Sequence, residues 1–161
     1  MQFRHIQPND DARLAGIVRA SLERNHLDIP GTAYFDPELD HLSAYYLAEP
    51  DSRRYLVVEG EDGLAEGGVG IARLSWDPTC AEVQKLYLSD TMKGQGLGHR
   101  LMELIEREAT EMGFTSMYLE THSNLKTAID LYRRMGYVEI EQPTGAIHTT
   151  MDHFFLKRLA N

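Results

Sequence analysis

At 161 residues, 42% hydrophobic and 25% charged, the chain reads as one globular domain over 1–161 with room for a proper core. Sixteen Lys+Arg against 25 Asp+Glu leave a formal net charge of −9, which argues against a nucleic-acid binder and against a polybasic membrane surface. A single cysteine, Cys80, excludes an intramolecular disulfide and fits a reducing compartment; MQFRHIQPNDD carries no apolar signal core and no run reaches membrane-spanning length, so the expected location is cytoplasmic.

MQFRHIQ (1–7) predicts a strand ended by Pro8. NDDARLAGIVRASLERNH opens with capping side chains and puts Leu14, Ile17, Val18 and Leu22 on one helical face. After a loop with Pro30 and Gly31, Asp36-Pro37 predicts the cap of a second helix through about Ala48. RYLVVE (54–59) and GGVGIARLSW (67–76) read as strands joined by the acidic turn GEDGLAE, an antiparallel hairpin. AEVQKLYL (81–88) is the next strand, after Pro78, and Cys80 beside it reads as a small apolar residue rather than a nucleophile. Its apolar phase shifts from Val83 to Leu86 and Leu88, as a β-bulge would cause, although Tyr87 keeps the original phase. Past TMKGQGLGHRLM (91–102), Leu97, Leu101, Leu104, Ile105 and Met112 keep helical spacing until Gly113. SMYLET (116–121) is a strand, and NLKTAIDLYRRMG is a helix with Ala128, Leu131, Tyr132 and Met135 on one face and Gly136 as its C-terminal cap. YVEIE and HFFLKRL close the chain as strands, so the order β-α-α-β-β-β-α-β-α-β-β predicts an α/β fold, a mixed sheet with helices on both faces.

Gly94, Gly96 and Gly98 alternate between a strand and a helix start, where backbone N–H groups and a helix N-terminus receive an anion. A P-loop needs Lys-Ser or Lys-Thr after its last glycine, and here His99-Arg100 follow Gly98. A dinucleotide fingerprint needs Gly-x-Gly-x-x-Gly, and His99 stands where the third glycine belongs. Glu120, at the end of the next strand, stands where a ribose-binding acid would, which keeps nicotinamide-dinucleotide binding as the runner-up.

These residues resemble the GNAT superfamily of N-acetyltransferases, bacterial small-acceptor type. The family's phosphate loop is Gln/Arg-x-x-Gly-x-Gly/Ala at a helix start, and KGQGLG is similar to it with Lys93 in the first position, a charge without arginine's planar fork. The second signature, Asn, Ala and Tyr at four-residue spacing and then Gly with an aromatic, is met by Asn124, Ala128, Tyr132, Gly136 and Tyr137. The resemblance covers the whole element order. It implies a six- to seven-stranded mixed sheet with about four helices and two splayed central strands, 81–88 and 116–121.

The resemblance also implies chemistry. The co-substrate is acetyl-CoA, its pyrophosphate held by backbone N–H groups of Gly94, Gln95, Gly96, Leu97, Gly98 and His99 with help from Lys93. Backbone groups of Leu86, Tyr87 and Leu88 pair with the pantetheine arm, and a bulge N–H stabilises the oxyanion. Tyr132 holds the general-acid position that protonates the leaving thiolate. Asn124 takes two roles at once, capping its helix and bonding the cofactor arm, and Lys126 reaches the 3'-phosphate. For the base that deprotonates the ammonium, Glu82 is the first candidate and Glu120 with His122 the second. The stretch from Asn25 to Tyr34 is the acceptor side, with Tyr34 and Phe35 as candidate lining. His122, His148 and His153 match no zinc spacing, so no metal is expected. The expected activity is direct acetyl transfer to a primary amine; the alternative is a non-catalytic acetyl-CoA-binding or regulatory module. Acetyl-CoA and a small amine are the expected partners, with a homodimer as the oligomeric state to test.

Overall fold

Alternating side chains along the strands sort onto two faces of one sheet, and each face recruits its own pair of helices. The computed structural model describes residues 1–146 and 149–160. In chain order they form β1 (Gln2–His5), α1 (Asp11–Arg24), α2 (Leu42–Leu47), β2 (Arg53–Glu59), β3 (Ala65–Leu74), β4 (Asp77–Leu88), α3 (Leu97–Glu111), β5 (Ser116–Thr121), α4 (Lys126–Arg134), β6 (Val138–Ile140) and β7 (His153–Arg158). The sheet runs β1-β2-β3-β4-β5-β7-β6, and only the β4–β5 pair is parallel. Leu56, Val58, Ile71, Ala81, Met117, Leu119 and Phe155 meet α3 and α4 through Leu101, Met102, Ile105, Ile129 and Tyr132. Tyr55 and Val57, one position out of phase, meet α1 and α2 through Leu14, Val18, Leu22, Leu42 and Tyr46. Burying these side chains removes apolar surface from water at roughly 25 cal/mol per Å².

Three expected boundaries move. Instead of one helix from Asp36 to Ala48, the chain makes short 3-10 turns at Ala33–Phe35 and Leu39–His41 before α2 begins at Leu42. Asp36 is extended, with φ −62° and ψ 131°, as the residue before a proline tends to be. β3 runs 65–74 rather than 67–76, and β4 begins at Asp77 rather than 81, so Pro78 lies inside a strand. It is tolerated because the β3–β4 register slips there, from Leu74↔Asp77 to Arg73↔Ala81, and no ladder bond is asked of it.

β3 also explains the glycine at position 70. A Cβ on Gly70 would fall 2.6 Å from the Tyr46 hydroxyl and 2.7 Å from the Tyr55 ring. That space lets both tyrosines lie across the sheet, with ring centroids 5.0 Å apart, and reach β4. No helix of the described residues is long and apolar enough to cross a membrane.

Candidate active site

The glycine loop closes the gap between β4 and α3. Gly94 (φ 78°) and Gly96 (φ 73°) both take left-handed backbone, which costs other residues roughly 1–2 kcal/mol. A Cβ on either would meet nothing within 4 Å, so what demands glycine within the protein is the backbone, and open space lies before the loop. Gly98 differs: its Cβ would come 3.3 Å from the Leu131 side chain, so it sets how closely α3 approaches α4. Among the described residues, no backbone N–H from Gly94 to His99 has a partner in the protein. The first to find one is Arg100, bonding Gly96 O at 3.1 Å. A row of free donors at the positive end of a 15-residue helix suits an anion.

β4 and β5 pair only at Cys80↔Ser116, Ala81↔Met117 and Glu82↔Tyr118. Beyond that point they part, and Val83–Leu88 and Leu119–Thr121 line a cleft of about 860 Å³ that runs to Lys93, Gly94, Gly96 and α4. On its other edge β4 pairs Gln84 with Gly70 and then Tyr87 with Gly68, one residue more than β3 supplies. That bulge lies where the apolar phase shifts. At it, Lys85 adopts φ 51°, an uncommon conformation that its surroundings must hold. The Tyr55 hydroxyl donates to Lys85 O at 3.0 Å, and Lys85 Nζ donates to Asp36 Oδ2 at 2.7 Å and Glu38 Oε1 at 3.2 Å. Its side chain is only 6% exposed.

Glu82 sits opposite Tyr118, and Glu120 lies two residues further along β5, so the pleat puts both carboxylates on one face where the strands separate. Burial pushes the Glu82 carboxyl above the usual range; a bond from Gln84 Nε2 at 2.9 Å opposes this and the charge of Glu120 adds to it. The Tyr46 hydroxyl in turn donates to Gln84 Oε1 at 2.7 Å. Glu120 accepts from the Tyr118 hydroxyl and from Thr149 Oγ1, both at 2.9 Å.

Tyr132 borders the same cleft from α4 and is only 7% exposed. Of the five buried tyrosines, Tyr46, Tyr55, Tyr118 and Tyr137 all donate a hydroxyl bond to the protein. Tyr132 has no such partner among the described residues, and its hydroxyl is not sealed off from the cleft. Burial raises its proton affinity, so it stays protonated at neutral pH.

The other expected residues divide. Leu86, Tyr87, Leu88, Lys93, Gly94, Gly96, Leu97, Gly98, His99, Asn124 and Lys126 all border the cleft. Gln95 turns its side chain back to Thr91 O at 3.0 Å, leaving only its backbone to face a ligand. Asn124 does not cap α4: Leu125 holds that position without a side-chain bond, and Asn124 Nδ2 donates to Asn25 O at 2.9 Å. Of the stretch expected to face an acceptor, Asn25, Gly31, Thr32 and Ala33 border the cleft, whereas Tyr34 and Phe35 pack against each other outside it, their rings tilted by 59°. His122 is separated from Glu120: it accepts from the Asn124 N–H at 3.0 Å and does not border the cleft. Cys80 is buried, and burial pushes its thiol up, away from nucleophilic use. His153 Nδ1 pairs with Glu139 at 2.5 Å, and His148 lies outside the described residues. Among the described residues no group of three His, Cys, Asp or Glu could hold a metal ion. Sequence reasoning missed Tyr46, Gln84, Lys85 and Thr149, whose partners lie far along the chain, and Tyr118, whose partner Glu120 is two residues away on the same face of β5.

The sequence pattern of the acetyltransferase (GNAT) family matches residues 11–137, which contain the glycine loop, the splayed strands and Tyr132. The chain belongs to the GNAT acetyltransferase family. Members of this family are acetyl-CoA-dependent acyltransferases. The chain is 35% identical over 145 residues to the uncharacterized N-acetyltransferase YjgM of Escherichia coli (strain K12), covering 89% of this chain and 85% of the relative. Its fold is similar to a GNAT-family acetyltransferase of Staphylococcus aureus Mu50, with a TM-score of 0.84, 15% identity and 99% of each chain covered. It is also similar to yncA of Salmonella typhimurium, solved with acetyl-CoA, with a TM-score of 0.77, 22% identity, and 100% of this chain and 95% of that one covered. The GNAT fold thus accounts for the seven strands and for the parting of β4 and β5.

Proposed function

We propose that this chain transfers an acetyl group from acetyl-CoA directly to a small primary amine, using one catalytic domain over 1–161. The observation that carries this reading is that Glu82 and Tyr132 border one gap between splayed strands, the first with raised proton affinity and the second with an unpartnered hydroxyl. The residues present fit acetyl-CoA: free N–H groups from Gly94 to His99 suit its pyrophosphate, and the unpaired edge of β4 past Glu82 suits an amide-bearing arm. Lys93 and Lys126 add charge beside it. Asn124, bonded to Asn25 O through its amide nitrogen, still offers its side-chain oxygen.

The overall change is an alkylammonium and an acetyl thioester giving an amide, a thiol and a proton. Glu82 takes one proton from the ammonium, which frees the nitrogen lone pair to form the C–N bond; the nitrogen sheds its second proton to solvent as the C–S bond breaks, and Glu82 returns its own to solvent before the next turnover. The bulge at Lys85 and Leu86 interrupts regular pairing with β3, and a backbone N–H freed there would stabilise the developing oxyanion, a donor of a kind worth about 3–4 kcal/mol. Tyr132 gives its proton to the leaving sulfur and recovers one from solvent.

Thiol release with acetyl-CoA and a panel of primary amines tests the reading. Release that depends on the amine and matches the amide formed is the expected result. Tight acetyl-CoA binding without turnover on any amine would overturn it in favour of a binding module. The loop is tested separately by Gly96→Val, which puts a branched side chain at φ 73° and into the open space before the loop. Calorimetry is expected to show acetyl-CoA binding weakened by about tenfold or more, in a protein with an unchanged far-UV spectrum. Unchanged affinity in the folded variant would remove the phosphate role from the loop.

A further inference from the structure

The charged side chains that border the cleft sort by the element they come from. Lys93, His99, Lys126 and Arg134 belong to the glycine loop, α3 and α4. Asp36 and Glu38 come from the segment before α2, and Glu82 and Glu120 from β4 and β5. Among the described residues, the one basic side chain bordering the carboxylate side is Lys85, and it is committed. It is buried to 6% exposure and spends its ammonium on Asp36 and Glu38. Four carboxylates and one lysine therefore surround the place where an acceptor would stand. A second, independent feature marks the cleft as a ligand site: the buried Tyr132, whose hydroxyl has no partner among the described residues.

We infer that the acceptor is a small amine with a second cationic group and no carboxylate, held between Glu82 and Glu120 on one side and the Asp36–Glu38 segment on the other. This rests on the acetyl-transfer reading above. Glu120 is built to receive such a group. Tyr118 and Thr149 each donate to a different oxygen of its carboxylate, Oε2 and Oε1, which orients it and still leaves accepting capacity on both. Charge balance favours a second cation. The attacking ammonium must give up its charge to react, and its proton goes to Glu82, so a mono-amine leaves Glu120 without a cation during transfer, whereas a dication keeps one beside it. A carboxylate on the acceptor would meet four of its own sign, and the charge of Lys85, the one cation on that side among the described residues, is already shared by Asp36 and Glu38.

Three acceptors of one chain length separate the cases: 1,4-diaminobutane, butylamine and 4-aminobutanoate, each with acetyl-CoA at neutral pH and read as kcat/KM by thiol release. The diamine is expected to exceed butylamine by about tenfold, because its far ammonium forms a charge-assisted hydrogen bond that butylamine cannot make. It is expected to exceed 4-aminobutanoate by about a hundredfold, because the acid also brings its carboxylate against like charge. In Glu120→Gln, which keeps the shape of the side chain, the diamine-to-butylamine ratio is expected to fall to within about threefold. Equal use of diamine and butylamine by the unaltered protein, or a preference for 4-aminobutanoate, overturns the inference and leaves acetyl transfer standing. Thiol release from none of these but from other amines overturns it as well. No release with any amine of the wider panel brings down the acetyl-transfer reading itself. A ratio unchanged in a folded Glu120→Gln protein removes Glu120 from recognition and with it the proposed binding mode.

Discussion

Tyr132→Phe is expected to lower turnover by about 10²–10⁴-fold, the range general acid catalysis contributes, while acetyl-CoA affinity stays near that of the unaltered protein. Two different demands meet at this residue. The ring is core: it packs 5.9 Å from the Tyr137 ring and 6.3 Å from that of Phe155, and Phe keeps those contacts. The hydroxyl bonds nothing among the described residues, so its loss leaves no partner unsatisfied and the melting temperature should barely move. Tyr137→Phe is the control. Its hydroxyl donates to Glu106 at 2.7 Å and does not border the cleft, so that variant should lose stability and keep turnover per folded molecule. Turnover and calorimetric acetyl-CoA affinity, measured on both variants with one accepted amine, check this. A Tyr132→Phe protein with full turnover would end the acid role, and an equal loss of affinity and rate would make the residue a packing element.

Glu82→Gln should cost a similar factor, about 10²–10⁴-fold in kcat/KM, and should also remove a feature of the pH profile. Burial raises the proton affinity of Glu82, and the neighbouring charge of Glu120 raises it further against the opposing bond from Gln84. Below that raised pKa the carboxyl already holds a proton and cannot take the ammonium's. The rate of the unaltered protein should therefore fall as pH drops, along a limb displaced upward from the ordinary glutamate range. Glu120→Gln removes the repelling charge, lowers the pKa of Glu82 and should move that limb to lower pH. In Glu82→Gln the limb should vanish, leaving a slow rate that climbs with pH only as free amine forms in solution. Profiles of kcat/KM against pH for the three proteins decide it. An unchanged limb and rate in Glu82→Gln would shift the base to Glu120 or to water.

Much of this was legible from local pattern. α1, α3 and α4 were readable because a 3.6-residue apolar period, with capping side chains opening α1 and a glycine stop after α3 and α4, acts within a few residues, and the β2–β3 hairpin because its acidic turn separates two apolar strands. The glycine loop was readable for the same reason: left-handed backbone at Gly94 and Gly96 is a property of those residues and their immediate neighbours. The phase shift from Val83 to Leu86 and Leu88 even located the bulge.

What lay beyond the sequence is whatever depends on a partner far away in the chain. Lys85 and Asp36 are 49 residues apart, Tyr46 and Gln84 are 38 apart, and Glu120 and Thr149 are 29 apart. No spacing rule joins such pairs, so the break-up of the expected second helix, the commitment of Lys85 and the orientation of Glu120 could not be read in advance. Glu120 and His122 look like one cluster in the sequence, yet only Glu120 borders the cleft, while His122 caps the turn that leads into α4. By itself the sequence determined α1, α3 and α4, the hairpin and the anion-ready loop, because those rest on local backbone preference and side-chain period. Only the tertiary structure decided which carboxylates share the gap, because that depends on the register of two strands whose pairing stops at Glu82 and Tyr118.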